Sequence, residues 1–317
     1  MPISVAAPAK INLSLDITGV RDDGYHLVET VMQAVSLCDT VTVWERREPG
    51  ITLELTGTGA DSLPSDSTNT AWRAAALFLE ALRKKGIALT GVGIRIHKRI
   101  PFAAGLAGGS ADAAGVLTAL NQLCGGRLAE EELAGLGEHV GADVPFCLLG
   151  GTARATGTGA ILSPLPDLPE CRIVIAKPAG GVSTAAAYRA VDRELGDGKG
   201  RFGASLRRPR TSVLVDALCS GSLSQVGREL YNVFEQALRL PETEALKKEM
   251  NRFRPLGCLM TGSGSSVFAL FDHRAEAESC AEALRRMESL PGGAPAVFLC
   301  RPFRGGPTAP AQDSPLE

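Results

Sequence analysis

The chain has 317 residues, with 33 basic and 35 acidic side chains and a net charge of −2. A balance this near neutral excludes a protein built mainly to grip nucleic-acid backbones or anionic lipid, and 44% hydrophobic against 21% charged residues excludes a disordered chain. At ~100–200 residues per domain the length points to two domains, each large enough to bury a core.

From the N-terminus, residues 11–17 alternate strictly. Ile11, Leu13, Leu15 and Ile17 share one side, and Lys10, Asn12, Ser14 and Asp16 the other, which predicts a half-buried strand with one polar face. Residues 19–24 read as a turn, and 41–44 and 51–55 as short strands. An Ala- and Leu-rich helix is predicted over 69–85, stopped by Gly86. A strand over 92–97 leads into a Gly/Ala-rich loop and then a helix over 110–124, with Val116, Leu120 and Leu123 on one face. A further helix covers 129–140 and is capped by Gly141. Pro164, Pro166 and Pro169 interrupt both periodicities and mark a domain boundary. Beyond them, 172–176 is a buried strand and 195–211 a solvated loop carrying the basic run Arg207-Arg208-Pro209-Arg210. Helical patterns cover 222–239 and 242–253, and Gly262-Ser263-Gly264 turns into a strand over 267–271. Residues 304–317 are polar and Gly/Pro-rich, the composition of a disordered tail.

No two of the eight cysteines lie within four residues of each other, so their spacing marks no zinc or redox pair. Cys38, Cys124, Cys147, Cys171 and Cys300 sit in or beside apolar runs, as small buried thiols do. A chain of this size needs no disulfides. The first residues carry no basic-then-apolar leader, and there is no run of 18 apolar residues. The expectation is a cytoplasmic protein in a reducing compartment.

The strongest chemical signal is the run Pro101, Phe102, Ala103, Ala104, Gly105, Leu106, Ala107, Gly108, Gly109, Ser110, Ala111, between a strand and a helix. Its glycines let the backbone approach a ligand closely, and the helix start that follows offers unpaired N–H groups and a positive dipole end. That combination suits a polyphosphate. Ser110 can cap the helix or give its hydroxyl to a phosphate or Mg2+. The run is neither a Walker loop nor a dinucleotide fingerprint, and it also suits a tight turn packed with small side chains.

Three weaker signals accompany it. Asp143, in Gly141-Ala142-Asp143-Val144-Pro145, follows a helix end and is either a turn former or a general base toward a hydroxyl. Lys10 and Asn12 share a polar strand face that either meets water or, if a second domain covers it, puts a fixed charge in a cleft. Gly24-Tyr25-His26 joins an aromatic face to a hydrogen-bonding ring, and Tyr188, after Gly181-Val182-Ser183-Thr184, offers a second wall. Both are ordinary packing or a nucleobase site. The turn Thr261-Gly262-Ser263-Gly264-Ser265-Ser266 is a hairpin or a nest of amides facing an anion.

In this order and spacing, Pro8-Ala9-Lys10-Ile11-Asn12-Leu13, Gly24-Tyr25-His26, the loop at 101–114, Gly141-Ala142-Asp143-Val144-Pro145 and Thr261-Gly262-Ser263-Gly264 resemble the GHMP kinase superfamily over about residues 5–300. The resemblance implies a two-domain α/β fold of the α+β type, with the active site in the interdomain cleft. Its N-terminal ATP-binding domain would span residues 1–160 and its C-terminal domain 161–303. The loop from Pro101 to Ala111 would bind ATP, with the phosphates on residues 103–110, and the adenine would meet the backbone near Lys98, with Asn69 nearby. Asp143 and Lys10 would form the catalytic pair, and Ser110 or Asp143 would hold Mg2+. The Pro8 to Leu13 start and Gly24-Tyr25-His26 further imply an acceptor in which cytidine diphosphate is linked to methylerythritol. It would be phosphorylated on its 2-hydroxyl in non-mevalonate isoprenoid precursor synthesis, and held by Asn12, Tyr25, His26, Thr184 and Tyr188. The alternatives are a homoserine, mevalonate or sugar kinase of the same superfamily, or a nucleotide-binding protein without turnover.

Overall fold

The structure is a computed structural model that describes residues 1–195, 207–288 and 290–310. Strands β1 (Ile3–Val20) and β2 (His26–Arg46) form one long antiparallel ribbon. They are followed by β3 (Gly50–Gly57), helix α1 (Thr70–Lys84), β4 (Gly91–Lys98), α2 (Gly108–Leu123), α3 (Glu130–Val140), α4 (Val144–Leu149), β5 (Thr152–Thr156) and β6 (Ile161–Leu165). The second half holds β7 (Arg172–Lys177), α5 (Thr184–Leu195), α6 (Thr211–Cys219), α7 (Leu223–Arg228), β8 (Tyr231–Asn232), α8 (Phe234–Ala237), α9 (Pro241–Asn251), β9 (Gly257–Met260), β10 (Val267–Phe271), α10 (Arg274–Arg285) and β11 (Ala296–Cys300).

The first sheet runs β3-β4-β2-β1-β8, with β5 and β6 continuing from the other half of β2, and the second runs β11-β7-β10-β9. Helix α1 buries Ala71, Ala74, Ala75, Phe78 and Leu82, one face at helical spacing. Helix α2 lies against β1 and β2 through small residues. A Cβ on Gly115 would stand 2.8 Å from Val41 and 3.1 Å from Ala7, so only glycine allows this approach. In β7, Ile173 and Ile175 join the large core that includes the first sheet, while Val174 and Ala176 join a separate core under α9 and α10. A strand covered on both faces reads as a continuous apolar run, and 172–176 does.

The predicted polar face of β1 is split. A register shift between Asn12 and Ser14 leaves Leu13 as an extra residue. A bulge inverts the alternation beyond it, so Lys10, Asn12 and Leu15 line the cleft described below, and Asp16 lines a separate hollow beside Arg208. The helical reading of 222–239 gives way to α7, β8 and α8, because Tyr231 and Asn232 pair in parallel with Ser14 and Leu15 at the edge of β1. Strand β6, expected in the second domain, belongs to the first sheet, and the chain passes to the second sheet after it. Arg208 and Arg210 are exposed, as expected of a solvated run, yet each also pairs with a buried carboxylate. Arg208 donates to both carboxylate oxygens of Asp16 at 2.9 Å and Arg210 Nε to Glu229 at 2.8 Å, since buried carboxylates require a cation; residues 196–206 of that predicted loop lie outside the described residues. Of the five flagged cysteines, Cys147, Cys171 and Cys300 are buried and Cys38 and Cys124 half-buried. Among the described residues no helix is long and apolar enough to cross a membrane.

The predicted tail is in part a docked strap, and residues 311–317 lie outside the described residues. Ser36 N–H donates to Arg301 at 3.0 Å, Phe303 N–H to Ala34 at 2.9 Å, Ala6 N–H to Thr308 at 2.8 Å and Thr308 N–H to Ala6 at 3.3 Å. Polar composition overlooks that main-chain groups can still complete a sheet margin. At ~1 kcal/mol net per hydrogen bond and roughly 2–4 °C per kcal/mol for a large domain, truncation after Cys300 is expected to lower Tm by about 8–16 °C. An unchanged melting curve by circular dichroism would show the strap to be passive.

Candidate active site

A cleft of about 1100 Å³ collects the motif residues from both halves of the chain. A single small-molecule site is typically ~300–1,000 Å³, so the cleft stands at the upper end of that range. Residues 99–107 leave β4 and enter α2, which starts at Gly108, not at Ser110. Its N-cap is Ala107, in a left-handed conformation with no side-chain cap bond. The N–H groups of Gly108, Gly109 and Ser110 therefore have no helical acceptor and face a positive dipole end. Ser110 sits inside the first turn, with Oγ 4.0 Å from where a Cβ on Gly141 would be. Gly105 has φ +72°, and a Cβ there would lie 2.2 Å from the Thr261 carbonyl oxygen. The turn at 261–264 thus packs backbone against backbone on the phosphate loop, and Asn232 Nδ2 pins that turn through Met260 (2.7 Å) and Gly262 (2.9 Å).

Lys10 Nζ lies 3.7 Å from Asp143 Oδ2, with the lysine side chain 6% exposed and the aspartate 38%. Lys10 is anchored twice, by its N–H on the Leu106 carbonyl (3.1 Å) and by Nζ donating to Asn12 Oδ1 (2.8 Å). Asn12 Oδ1 also accepts Gly262 N–H at 3.0 Å, while Asn12 Nδ2 donates to Thr30 Oγ1 at 2.8 Å. Asn12 is therefore mostly engaged within the protein, and one amide hydrogen is left for the cleft. Asp143 is the N-cap residue of α4 but makes no side-chain cap bond, so its carboxylate is not spent on the helix.

Helix α5 presents Thr184, Tyr188 and Asp192 to the same cleft. The Tyr188 ring stands 4.5 Å from that of His26 and 5.1 Å, edge on, from that of Phe234. Burial pushes the Tyr188 phenol up to about 12, which keeps it neutral. Asp192 meets His26 Nε2 at 2.7 Å, and Thr184 Oγ1 meets Ser263 Oγ at 3.2 Å. Tyr25 is 67% exposed at the cleft wall, as is Phe102.

The remaining expected residues, Ala111 aside, also line the cleft, with their side chains committed elsewhere. Asn69 caps α1, accepting Ala71 N–H at 2.9 Å and donating to the Pro64 carbonyl at 2.7 Å. Lys98 is buried and paired with Asp39 and Asp112, and its carbonyl accepts Thr58 N–H at 2.9 Å. Asp39, Asp192 and Asn232 were not singled out from the sequence, and Asp112 and Thr261 stood inside flagged runs without a role of their own. Of the three unflagged residues only Asp192 carried a local signal, four residues after Tyr188 on one helix face.

Residues 69–151 match the family described as GHMP kinases N terminal domain, and residues 214–289 that described as GHMP kinases C terminal. The chain is 40% identical over 284 residues to the 4-diphosphocytidyl-2-C-methyl-D-erythritol kinase of Alkaliphilus metalliredigens, covering 89% of this chain and 92% of the relative. It is 42% identical over 307 residues to the kinase of that name from Carboxydothermus hydrogenoformans, covering 96% and 98%. A crystal structure of 4-(cytidine 5'-diphospho)-2C-methyl-D-erythritol kinase matches with a TM-score of 0.73 at 35% identity, over 95% of this chain and 100% of that one. Homoserine kinase from Cytophaga hutchinsonii matches with a TM-score of 0.75 at 22% identity, a likeness of fold. The chain belongs to the GHMP kinase family.

Proposed function

We propose that this protein transfers the γ-phosphoryl group of ATP to the 2-hydroxyl of 4-diphosphocytidyl-2-C-methyl-D-erythritol, a step of non-mevalonate isoprenoid precursor synthesis. What supports the reading, beside the relatives, is one observation: the Lys10–Asp143 pair shares a cleft with a loop of unpaired N–H groups and an aromatic cluster. Phosphoryl transfer is mostly positioning and electrostatics. The N–H groups at the start of α2 bind the phosphates. The Asp143 carboxylate accepts the proton of the acceptor hydroxyl. The Lys10 ammonium, fixed by Asn12, steadies Asp143 and the charge that develops on the transferred group. Ser110 and Asp143 offer the hard oxygen donors that Mg2+ takes together with phosphates, and they fit it: both lie at the same end of the loop, and Asp143 is open to the cleft. When bound, the ion neutralises phosphate charge.

The test is a coupled assay of ADP release with the cytidine conjugate, with bare methylerythritol phosphate and homoserine as rival acceptors. Turnover only with the conjugate is expected. Equal turnover with either rival would overturn the acceptor assignment. The exposed ring of Tyr25 has little packing to lose, which makes it the clean probe of base recognition. Base–aromatic stacking is worth ~1–3 kcal/mol, or roughly 5- to 150-fold in affinity, so Tyr25→Ala is expected to raise the acceptor KM by that order and leave the ATP KM unchanged. An unmoved acceptor KM would remove Tyr25 from the site.

A further inference from the structure

Beneath the phosphate loop lies an ionic cluster to which the chemistry above assigns no part. Lys98, the last residue of β4, pairs with Asp39 on β2 and with Asp112 in α2. All three are buried, with relative exposures of 3%, 0% and 4%. The second oxygen of Asp39 accepts the N–H groups of Arg99 at 2.5 Å and Ile100 at 2.8 Å, the first two residues of the loop. The second oxygen of Asp112 finds no partner among the described residues.

The placement separates two roles for Lys98. A lysine that grips phosphate needs its ammonium free in the site, as a Walker lysine does. Here the ammonium is turned inward between two carboxylates, 3.8 Å from where a Cβ on Gly108 would stand. It lies under the first residue of α2, and its charge is met by its two partners. Stability is a poor reason for such a cluster, because taking ions out of water costs about what their attraction returns, and apolar replacements are often as stable. What the cluster does uniquely is geometric. The loop leaves at Lys98 and re-enters order at Gly108; Asp39 fixes its departing peptides, and Lys98–Asp112 ties its first residue to the helix that receives its last.

We propose that Asp39 and Asp112, acting through Lys98, are positioning residues that hold both ends of the phosphate loop so that the N–H groups at the start of α2 converge on the ATP phosphates. The proposal rests on the reading of that loop as the phosphate site. Misplacement of about 1 Å can cost up to ~10²-fold in an enzyme, and a loop slackened at one end should cost about tenfold or more in ATP affinity.

The test measures the dissociation constant of ADP by calorimetry, the KM values of ATP and acceptor, and Tm, for Asp112→Ala, Asp112→Asn and the charge-free triple variant Asp39→Asn/Lys98→Met/Asp112→Leu, which keeps an oxygen acceptor for the Arg99 and Ile100 N–H groups and leaves no buried charge unpaired. Asp112→Ala is expected to weaken ADP and raise the ATP KM by about tenfold with the acceptor KM unchanged, and Asp112→Asn, which keeps an acceptor for Lys98, to recover most of the loss. The triple variant is expected to melt near the wild type and still bind ADP poorly. That outcome separates loop geometry from stability even if Asp112→Ala fails to fold. Normal ADP affinity in the folded triple variant overturns the proposal. Gly108→Val serves as control: if it too leaves ADP binding unchanged, the reading of the loop has failed, whereas if it alone weakens binding, only the positioning role has.

Discussion

Asp143→Asn is expected to lower kcat by ~10²–10⁴, the usual loss for a general base, equivalent to about 3–5 kcal/mol of transition-state stabilisation. The substitution keeps the side chain's shape and removes its charge. The fold should barely register it, because the Asp143 side chain is 38% exposed and makes no cap bond to α4. Lys10 keeps its bond to Asn12, so the ammonium stays in place and only its counter-charge is lost. KM for ATP and for the acceptor should therefore move much less than kcat. Lys10→Ala should show a similar fall, and the double variant less than the product of the two, since groups that act as a unit are not additive. Steady-state turnover at saturating substrates decides the matter. Wild-type kcat in Asp143→Asn, with native circular dichroism, would remove the carboxylate from the chemistry.

Gly105→Ala should damage the site from the other side. A methyl group there meets the Thr261 carbonyl oxygen at 2.2 Å, far inside contact, and φ +72° is a region that residues with a Cβ occupy at a cost of roughly 1–2 kcal/mol. Backbone on both sides means that neither neighbour can swing away, so the loop and the 261–264 turn must separate. The loop then loses its phosphate geometry. The turn loses Gly262 N–H on Asn12, the residue that orients Lys10. One methyl group thus strikes both substrates' ends of the reaction, and kcat/KM for ATP is expected to fall by on the order of 10²-fold or more. A variant with kcat/KM within twofold of wild type would show that the two segments part without consequence.

What the sequence revealed of the site was local. Residues 101–110, Lys10 with Asn12, Gly24-Tyr25-His26 and Asp143 each sit in a short run whose chemistry is visible in one window, and the fold brings them into one cleft, whereas Ala111, expected with them, is buried in the core because α2 has already turned inward there. Partners drawn from distant segments were invisible. Lys98 and Asp39 are 59 positions apart, and nothing in either window announces the other. Thr261 and Asn232 matter only because their turns meet β1 and the loop. Periodicity also failed where it was interrupted. The extra residue at Leu13 hides the change of face in β1, and the 21-residue β2 shows no clean alternation in its first half, where a Glu and a Gln stand among apolar residues. Helix α5 was concealed by the glycines before it, although Thr184, Tyr188 and Asp192 keep helical spacing.

The bulge at Leu13 makes β1 unequally tolerant of different kinds of genetic change. Substituting Leu13 trims a buried side chain and leaves every other residue on its own face. Deleting it would remove the bulge and leave Asn12–Met32 and Ser14–Val31 as consecutive pairs, with Asn12 and Leu15 still on one face. Inserting a further residue between Asn12 and Leu15 would slip one part of the strand by one, and in a pleated strand a slip of one exchanges the two faces. Either Lys10 and Asn12 would leave the cleft, or Leu15 would leave the small core it shares with Tyr188 and Phe234. Point mutation and loss of the bulge residue can therefore explore this strand while insertion cannot. Length variation among functional descendants of this sequence belongs in the turn ahead of Gly24 and Tyr25, which carries no such parity.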